Sequence, residues 1–150
     1  MSTIDIADAI AARFIGLTAT LDGTTEGLQS EPTARLPNEV TKGPVILVFP
    51  PEGSLERPDL RLRRDTLVFA VRLLRDPLNY PERIGWLYAW YDAMRDEVGK
   101  QVRLGLSNVW AMPAACRLEA DGFTYGGRVL DVVELIVEVN VNGVITTLAS

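Results

Sequence analysis

The densest group of chemically capable side chains is a run of arginines, with Arg57, Arg61, Arg63 and Arg64 falling between positions 57 and 64. Guanidinium groups form a rigid fork of donors that matches carboxylate or phosphate, so such a run serves recognition of an anion or of an acidic partner. The charge around it has the opposite sign. Residues 1–56 carry eight acids and three bases, residues 57–83 seven arginines and four acids, and residues 84–150 eight acids and five bases, which gives local nets of −5, +3 and −3 and a total of −5. An acidic chain with one short basic band is a poor ligand for duplex DNA, because phosphate neutralisation dominates that affinity. The band suits a protein partner instead. The chain itself offers acidic surface at Asp92, Asp96 and Glu97, so self-association through opposite charges is feasible. The plainer reading is a solvated strand and loop, since exposed ion pairs contribute little.

Other chemistry is thinly supported. The absence of histidine excludes Ser-His-Asp and Cys-His catalysis and His-ligated zinc. A single cysteine, Cys116, excludes an internal disulfide or a CxxC cluster. It sits in a stretch that reads as a strand, and itself reads as a small buried hydrophobe with no histidine to lower its pKa. There is no GxGxxG or GxxxxGK[ST] phosphate loop and no GxSxG nucleophile elbow. The acids follow no spacing that brings a catalytic pair together. No catalytic, cofactor-binding or metal-binding residue is therefore assigned. Trp86 and Trp90, four residues apart and close to Tyr88 and Tyr91, read as core or as a subunit interface, where aromatic residues are enriched.

The elements that would position these residues follow from periodicity. A length of 150 residues suits one domain, taken as residues 1–150, with a core that needs no staples. Ser2 and Thr3 can cap a helix over about 3–15, whose apolar residues Ile4, Ala7, Ala11, Phe14 and Ile15 recur at helical spacing. Residues 16–43 and 50–58 are rich in turn formers and read as long loops that offer surface. Residues 44–49 form an apolar run that reads as a buried strand. A half-exposed strand around 60–65 and a strong one over 66–75 follow, the latter broken by Asp76-Pro77. The clearest element is a helix over about 82–98, with Ile84, Leu87, Tyr88, Tyr91, Met94 and Val98 on one stripe and Trp86 and Trp90 on its flank.

Residues 104–109 are ambiguous, and 110–119 read as a strand with an edge or bulge at Pro113. Asp121-Gly122 signals a hairpin, and Gly126-Gly127 permits a bend. From Val129 the alternation is plain: Val129, Val133, Leu135, Val137, Val139 and Val141 share one face, and Leu130, Val132, Glu134, Ile136, Glu138 and Asn140 the other. Asn142-Gly143 is a second turn signal before a strand over 144–148. No repeated βαβ order occurs. The fold predicted is α+β, a mostly antiparallel mixed sheet of about five strands with two helices packed on one face. No stretch approaches the roughly 20 apolar residues of a membrane span. Met1–Asp5 lacks the basic and apolar character of a signal peptide, which predicts a product made in the cytoplasm.

The order of these pieces resembles the tail terminator (minor tail, tail completion) proteins of long-tailed bacteriophages, particularly those of actinobacterial phages. The resemblance rests on the short first helix ending Ala11-Ala12-Arg13-Phe14, the passage through Leu36-Pro37-Asn38 to the strand 44–49 and Pro50-Pro51-Glu52-Gly53, the strand end Arg75-Asp76-Pro77, the helix 81–98, and Tyr125-Gly126-Gly127 before the long last strand. It covers most of the chain. It implies an α+β sheet with helices on one face and a homo-oligomeric ring, usually of six subunits, on the end of the finished tail tube. Such a ring stops tube polymerisation and presents a surface to the head-closure or connector protein, and genome DNA passes its lumen without sequence recognition. It implies no enzymatic activity, no cofactor and no membrane, and a place in the virion at the head-proximal end of the tail after assembly in the host cytoplasm. The partner and subunit contacts expected are Arg57, Arg61, Arg63, Arg64, Trp86, Trp90, Asp92 and Asp96. Two alternatives stay open. One is another head–tail connector or a tail tube component. The other is a small α+β ligand-binding domain or enzyme that uses Asp65, Arg72 and Asp131 beside a pocket lined by the aromatic residues of the second helix.

Overall fold

The computed structural model describes residues 3–56, 62–77, 82–99, 109–118 and 122–144. In chain order these form α1 (Thr3–Ala12), β1 (Thr18–Leu21), β2 (Thr24–Gly27), β3 (Val45–Val48), β4 (Glu52–Glu56), β5 (Leu62–Arg75), α2 (Glu82–Gly99), β6 (Val109–Leu118), β7 (Phe123–Tyr125) and β8 (Arg128–Val144). The main sheet runs β3-β5-β8-β6. β4 shares one edge of β5 with β3, opposite Arg64–Val68 where β3 lies opposite Val71–Leu74. All strand pairings are antiparallel, and both helices lie on one face, so the architecture is α+β.

The strands β5 and β8 form the spine, paired from Leu62 opposite Val144 to Arg75 opposite Asp131. Side chains alternate across a strand, and the odd positions of both strands point inward. Phe69, Val71 and Leu73 of β5 and Val133, Leu135, Val137 and Val139 of β8 are buried against Ile6, Ile10 and Phe14 of the α1 region and Leu87, Trp90 and Met94 of α2. Among the described residues, the even face is covered at one end only. There Leu74, Leu130 and Val132 pack under Val40, with Phe49, Phe123 and Tyr125. Further along, Val68, Ala70, Ile136, Glu138 and Asn140 are half-buried.

Several expectations are corrected. α1 ends at Ala12. The chain then tightens into i→i+3 bonds from Arg13 to the Ile10 carbonyl and from Phe14 to the Ala11 carbonyl, a common helix ending, and this turns Ile15 outward. The stretch 16–43 contains a hairpin. Asp22 and Gly23 both take positive φ, 49° and 80°, the pair of conformations a type I′ turn requires, and β1 and β2 close across them. β4 runs through the stretch read as the second loop; the residues Glu52–Glu56 have weak strand preference, and pairing with β5 imposes the conformation. The two strand readings 60–65 and 66–75 merge into β5 from Leu62 onward. Asn142-Gly143 makes no turn: both lie within β8, opposite Arg64 and Arg63. Gly126-Gly127, both at positive φ, form the tight turn of the β7–β8 hairpin. On α2 the buried stripe is Leu87, Trp90 and Met94, which leaves Tyr88 exposed. Pro113 does mark a bulge: the β6 register shifts between Pro113 and Ala115, so Ala111 and Cys116 both face the core. The ambiguous residues 104–108, the turn residue Asp121 and the end of the strand read over 144–148 lie outside the described residues.

Candidate functional site

The polar chemistry of the molecule collects on the β5–β8 spine. Arg72 stands opposite Glu134 and Arg75 opposite Asp131. Alternation sends the first pair to the even face and the second to the odd face beneath the helices.

On the even face, Glu134 is a carboxylate held from two sides. It accepts a hydrogen bond from Arg72 Nε at 2.7 Å and another from Arg117 Nε of β6 at 2.8 Å. Its side chain is only 5% exposed, whereas that of Arg117 is 61% exposed. The Arg72 guanidinium lies 4.4 Å from the ring centroid of Phe49 and 4.7 Å from that of Phe123, so cation–π attraction on both planes fixes it. Phe49 in turn meets Phe123 and Tyr125 edge-on. Tyr125 donates its hydroxyl to the Pro37 carbonyl, which ties the 30–42 segment to the β7–β8 hairpin. Burial raises the Tyr125 hydroxyl pKa above its ordinary value. The ladder Arg72–Glu134–Arg117 carries a net positive charge, and further along the same face Thr66 donates a hydrogen bond to Asn140.

On the odd face the partners are drawn from other elements. Glu26 of β2 accepts from Arg75 Nη1 at 2.6 Å and from the indole of Trp90 at 2.7 Å. Asp131, 2% exposed, accepts from Arg83 Nε of α2 at 2.7 Å. Arg75 also lies 5.8 Å from the Trp86 ring centroid. Two buried atoms, Arg75 Nε and Asp131 Oδ2, make no hydrogen bond in the structure. This cluster staples the β1–β2 hairpin and the start of α2 to the end of the sheet.

The residues expected at an interface divide. Arg57 and Arg61 lie outside the described residues. Arg63 and Arg64 stand in β5, opposite Gly143 and Asn142, with Arg64 also opposite Glu56 of β4. Asp92 and Asp96 are exposed on α2, each within 4 Å of Arg95, at 3.3 and 3.6 Å. Trp86 is half-buried. Trp90 is fully buried, and its indole is committed to Glu26; it belongs to the chain's own core and offers no surface to a partner. Arg72 and Asp131, grouped in the ligand-binding alternative, project to opposite faces of the sheet and do not form one site. Cys116 faces the core, and its pKa is raised to about 11, chiefly by burial, with the nearby Arg95 opposing. A thiol held that high is a poor nucleophile at neutral pH.

Glu26, Arg75, Arg83, Arg117 and Glu134 escaped the sequence reading as site residues. The available signal was a charge inside an apolar run, at Arg72 and Arg75 in β5 and at Asp131 and Glu134 in β8. Charges are rarely buried in strands unless paired, but the partner is set by register. No family model matches the chain, and no curated protein matches it. No helix among the described residues is long and apolar enough to cross a membrane.

Proposed function

We propose that the chain is a structural virion protein, a tail terminator that caps the phage tail tube as a ring of six copies, stops tube polymerisation and forms the joining surface for the head-closure or connector protein. The observation that carries this reading is the one-sided build of the sheet. Both helices are spent on the odd face, and the even face stays half-exposed, bordered by a rigid Arg–Glu–Arg ladder and an aromatic cluster. A surface held in shape by internal ion pairs suits docking, because little ordering is lost on contact. The chain's chemistry points the same way. The single thiol is half-buried, with its pKa raised chiefly by burial, and the odd-face charges are occupied in holding elements together. A net charge of −5 also keeps a DNA-filled lumen from adhering to its wall.

The test is to add purified protein to growing tail tubes and image them by electron microscopy. The expected result is tubes of limited length with a collar at one end, and a free or tube-released ring of about 99 kDa, six copies of 16.5 kDa. Tubes that neither bind the protein nor stop growing would reject the proposal. Open tubes formed by the chain alone would make it a tube subunit instead.

A further inference from the structure

The chain between β2 and β3 leaves the sheet and returns to its own start. Gln29 donates to the Pro44 carbonyl at 2.9 Å, so the two ends of residues 30–43 meet at a neck, as in an Ω-loop. Past the neck, Thr33 lies along the outer edge of β3. Its N–H donates to the Ile46 carbonyl at 3.2 Å, and its carbonyl accepts from the Val48 N–H at 2.9 Å. Between Ser30 and Lys42 only Pro32 and Val40 are buried, and residues 35–39 are all exposed. A hollow of about 310 Å3 lies between this loop and Val45 and Leu47 of β3.

The β7–β8 hairpin holds the loop down. Arg128 donates to the carbonyls of Val40 and Thr41, at 2.9 and 2.8 Å, and pairs with Asp76 at 3.2 Å. Tyr125 donates to the Pro37 carbonyl. Gly126 backs onto the loop so closely that a Cβ there would stand 2.8 Å from the Asn38 carbonyl oxygen and from Glu39 Cα. A further tether, Arg35 to Asp8 of α1 at 3.5 Å, joins two exposed side chains and contributes little. The hydrogen bonds from the hairpin end on loop carbonyls, so they can be released without breaking a strand pair.

We propose that residues 30–43 form a latched flap that opens about its neck as a unit while β5 and β8 stay paired, with Arg128 as the latch, and that closure of the flap steadies the aromatic clamp on Arg72. Opening as a unit follows from the distribution of contacts. A segment with few buried apolar side chains and exposed backbone opens at lower cost than core strands do, and a closed neck lets it lift without moving the chain on either side. The link to Arg72 runs through Tyr125. The Tyr125 hydroxyl is bound to the flap, its ring centroid lies 6.1 Å from that of Phe49, and Phe49 and Phe123 grip the Arg72 guanidinium. Lifting the flap takes the Pro37 acceptor and the Val40 side chain away from that cluster, so Arg72 and Glu134 lose part of what fixes them. Such coupling is reciprocal: a contact that fixes the ladder from the even face holds the flap shut.

The experiment is hydrogen exchange by nuclear magnetic resonance on the full chain, with two glycine variants of one turn. Gly126 and Gly127 both take positive φ, 57° and 81°, so alanine strains the turn at either place. Only at 126 does its Cβ meet the flap; at 127 nothing lies within 4 Å. Gly126→Ala is expected to speed exchange at Thr33 and Val48, whose N–H groups bond across the boundary between flap and β3, about tenfold relative to Phe49, whose N–H donates to the Ala70 carbonyl of β5. Gly127→Ala is expected to leave that ratio unchanged. Arg128→Ala is expected to raise it about tenfold through loss of the latch. In both opening variants the Arg72 Nε–H, bonded to Glu134, is expected to exchange faster. Equal ratios in the two glycine variants, or an unchanged ratio in Arg128→Ala, would overturn the flap. So would acceleration of Phe49 in step with Thr33 and Val48, which reports loss of the fold rather than local opening. An open flap with Arg72 unchanged would overturn the coupling. All of this is read on the isolated chain, so it stands or falls apart from tube capping.

Discussion

Two arginines of β5 face two acids of β8 directly across the sheet, three positions apart, and the two pairs behave differently. Arg72 and Glu134 bond each other at 2.7 Å, as register places them. Arg75 and Asp131 do not: Arg75 turns to Glu26 of β2, Asp131 takes Arg83 of α2, and each retains one buried atom without a hydrogen bond. The strands, the residue classes and the antiparallel pairing are shared. The face differs.

On the covered face a charge has neighbours from several elements, and its partner is the group that best excludes water with it. The odd-face pairs therefore join the β1–β2 hairpin and α2 to the sheet. The hairpin needs that tie: among the described residues it forms its own two-stranded sheet with no strand pairing to the main one, and isolated hairpins are marginal in water. On the open face, among the described residues, the charged partners of Glu134 are on the adjacent strands. Pairing stays within the sheet, and Arg117, the member furthest from cover, keeps most of its surface in solvent. One region uses charge to hold the fold together; the other uses it to shape a surface.

The contrast predicts unequal costs. Glu26→Ala should be the most damaging change, because it leaves the Arg75 guanidinium and the Trp90 indole buried without their acceptor. Removing one member of a buried pair costs about 3 kcal/mol or more, read as a lower midpoint in urea at constant slope. Glu134→Ala should cost less, about 1–2 kcal/mol, since Arg72 keeps its two aromatic faces and Arg117 reaches water. Equal costs would break the comparison, because they would mean that the even-face ladder bears the fold as much as the odd-face staple does.

The fold was legible to the extent that periodicity is local. The helix expected at 82–98 is α2 at Glu82–Gly99, and the run at 44–49 contains β3. The alternation from Val129 places Val133, Leu135, Val137 and Val139 in the core, as it should. The failures were elements whose conformation is imposed from outside. Thr18–Leu21, Thr24–Gly27 and Glu52–Glu56 carry few apolar residues and become strands through turn geometry or pairing. Asn142-Gly143 has the composition of a turn, yet β5 is long enough to pair past it. Of the candidate site, the charges within apolar strands were visible but their partners were not. Which residue of β8 faces Arg72 is a matter of register between segments 62 positions apart, and a slip of one residue would exchange the faces. Trp90 misled for the same reason: an aromatic residue on a helix flank reads as interface or core until the carboxylate that takes its N–H is known.

The smallest effect expected on stability is also the most informative about the surface. Arg117→Ala removes a guanidinium that is mostly solvated and leaves Glu134 with Arg72, so it should change unfolding free energy by about 0.5 kcal/mol or less. If the even face is a docking surface, the same change should weaken ring formation or tube capping by a larger factor than this stability loss accounts for, and the deficit should grow as salt is lowered, because an exposed arginine that attracts an acidic partner acts over the screening length. Arg117→Lys keeps the charge but loses the planar fork, and should recover the salt-dependent part only. A substitution that costs as much stability as Glu134→Ala would instead make Arg117 a structural member of the ladder. The even face would then differ from the odd face in exposure alone and not in purpose.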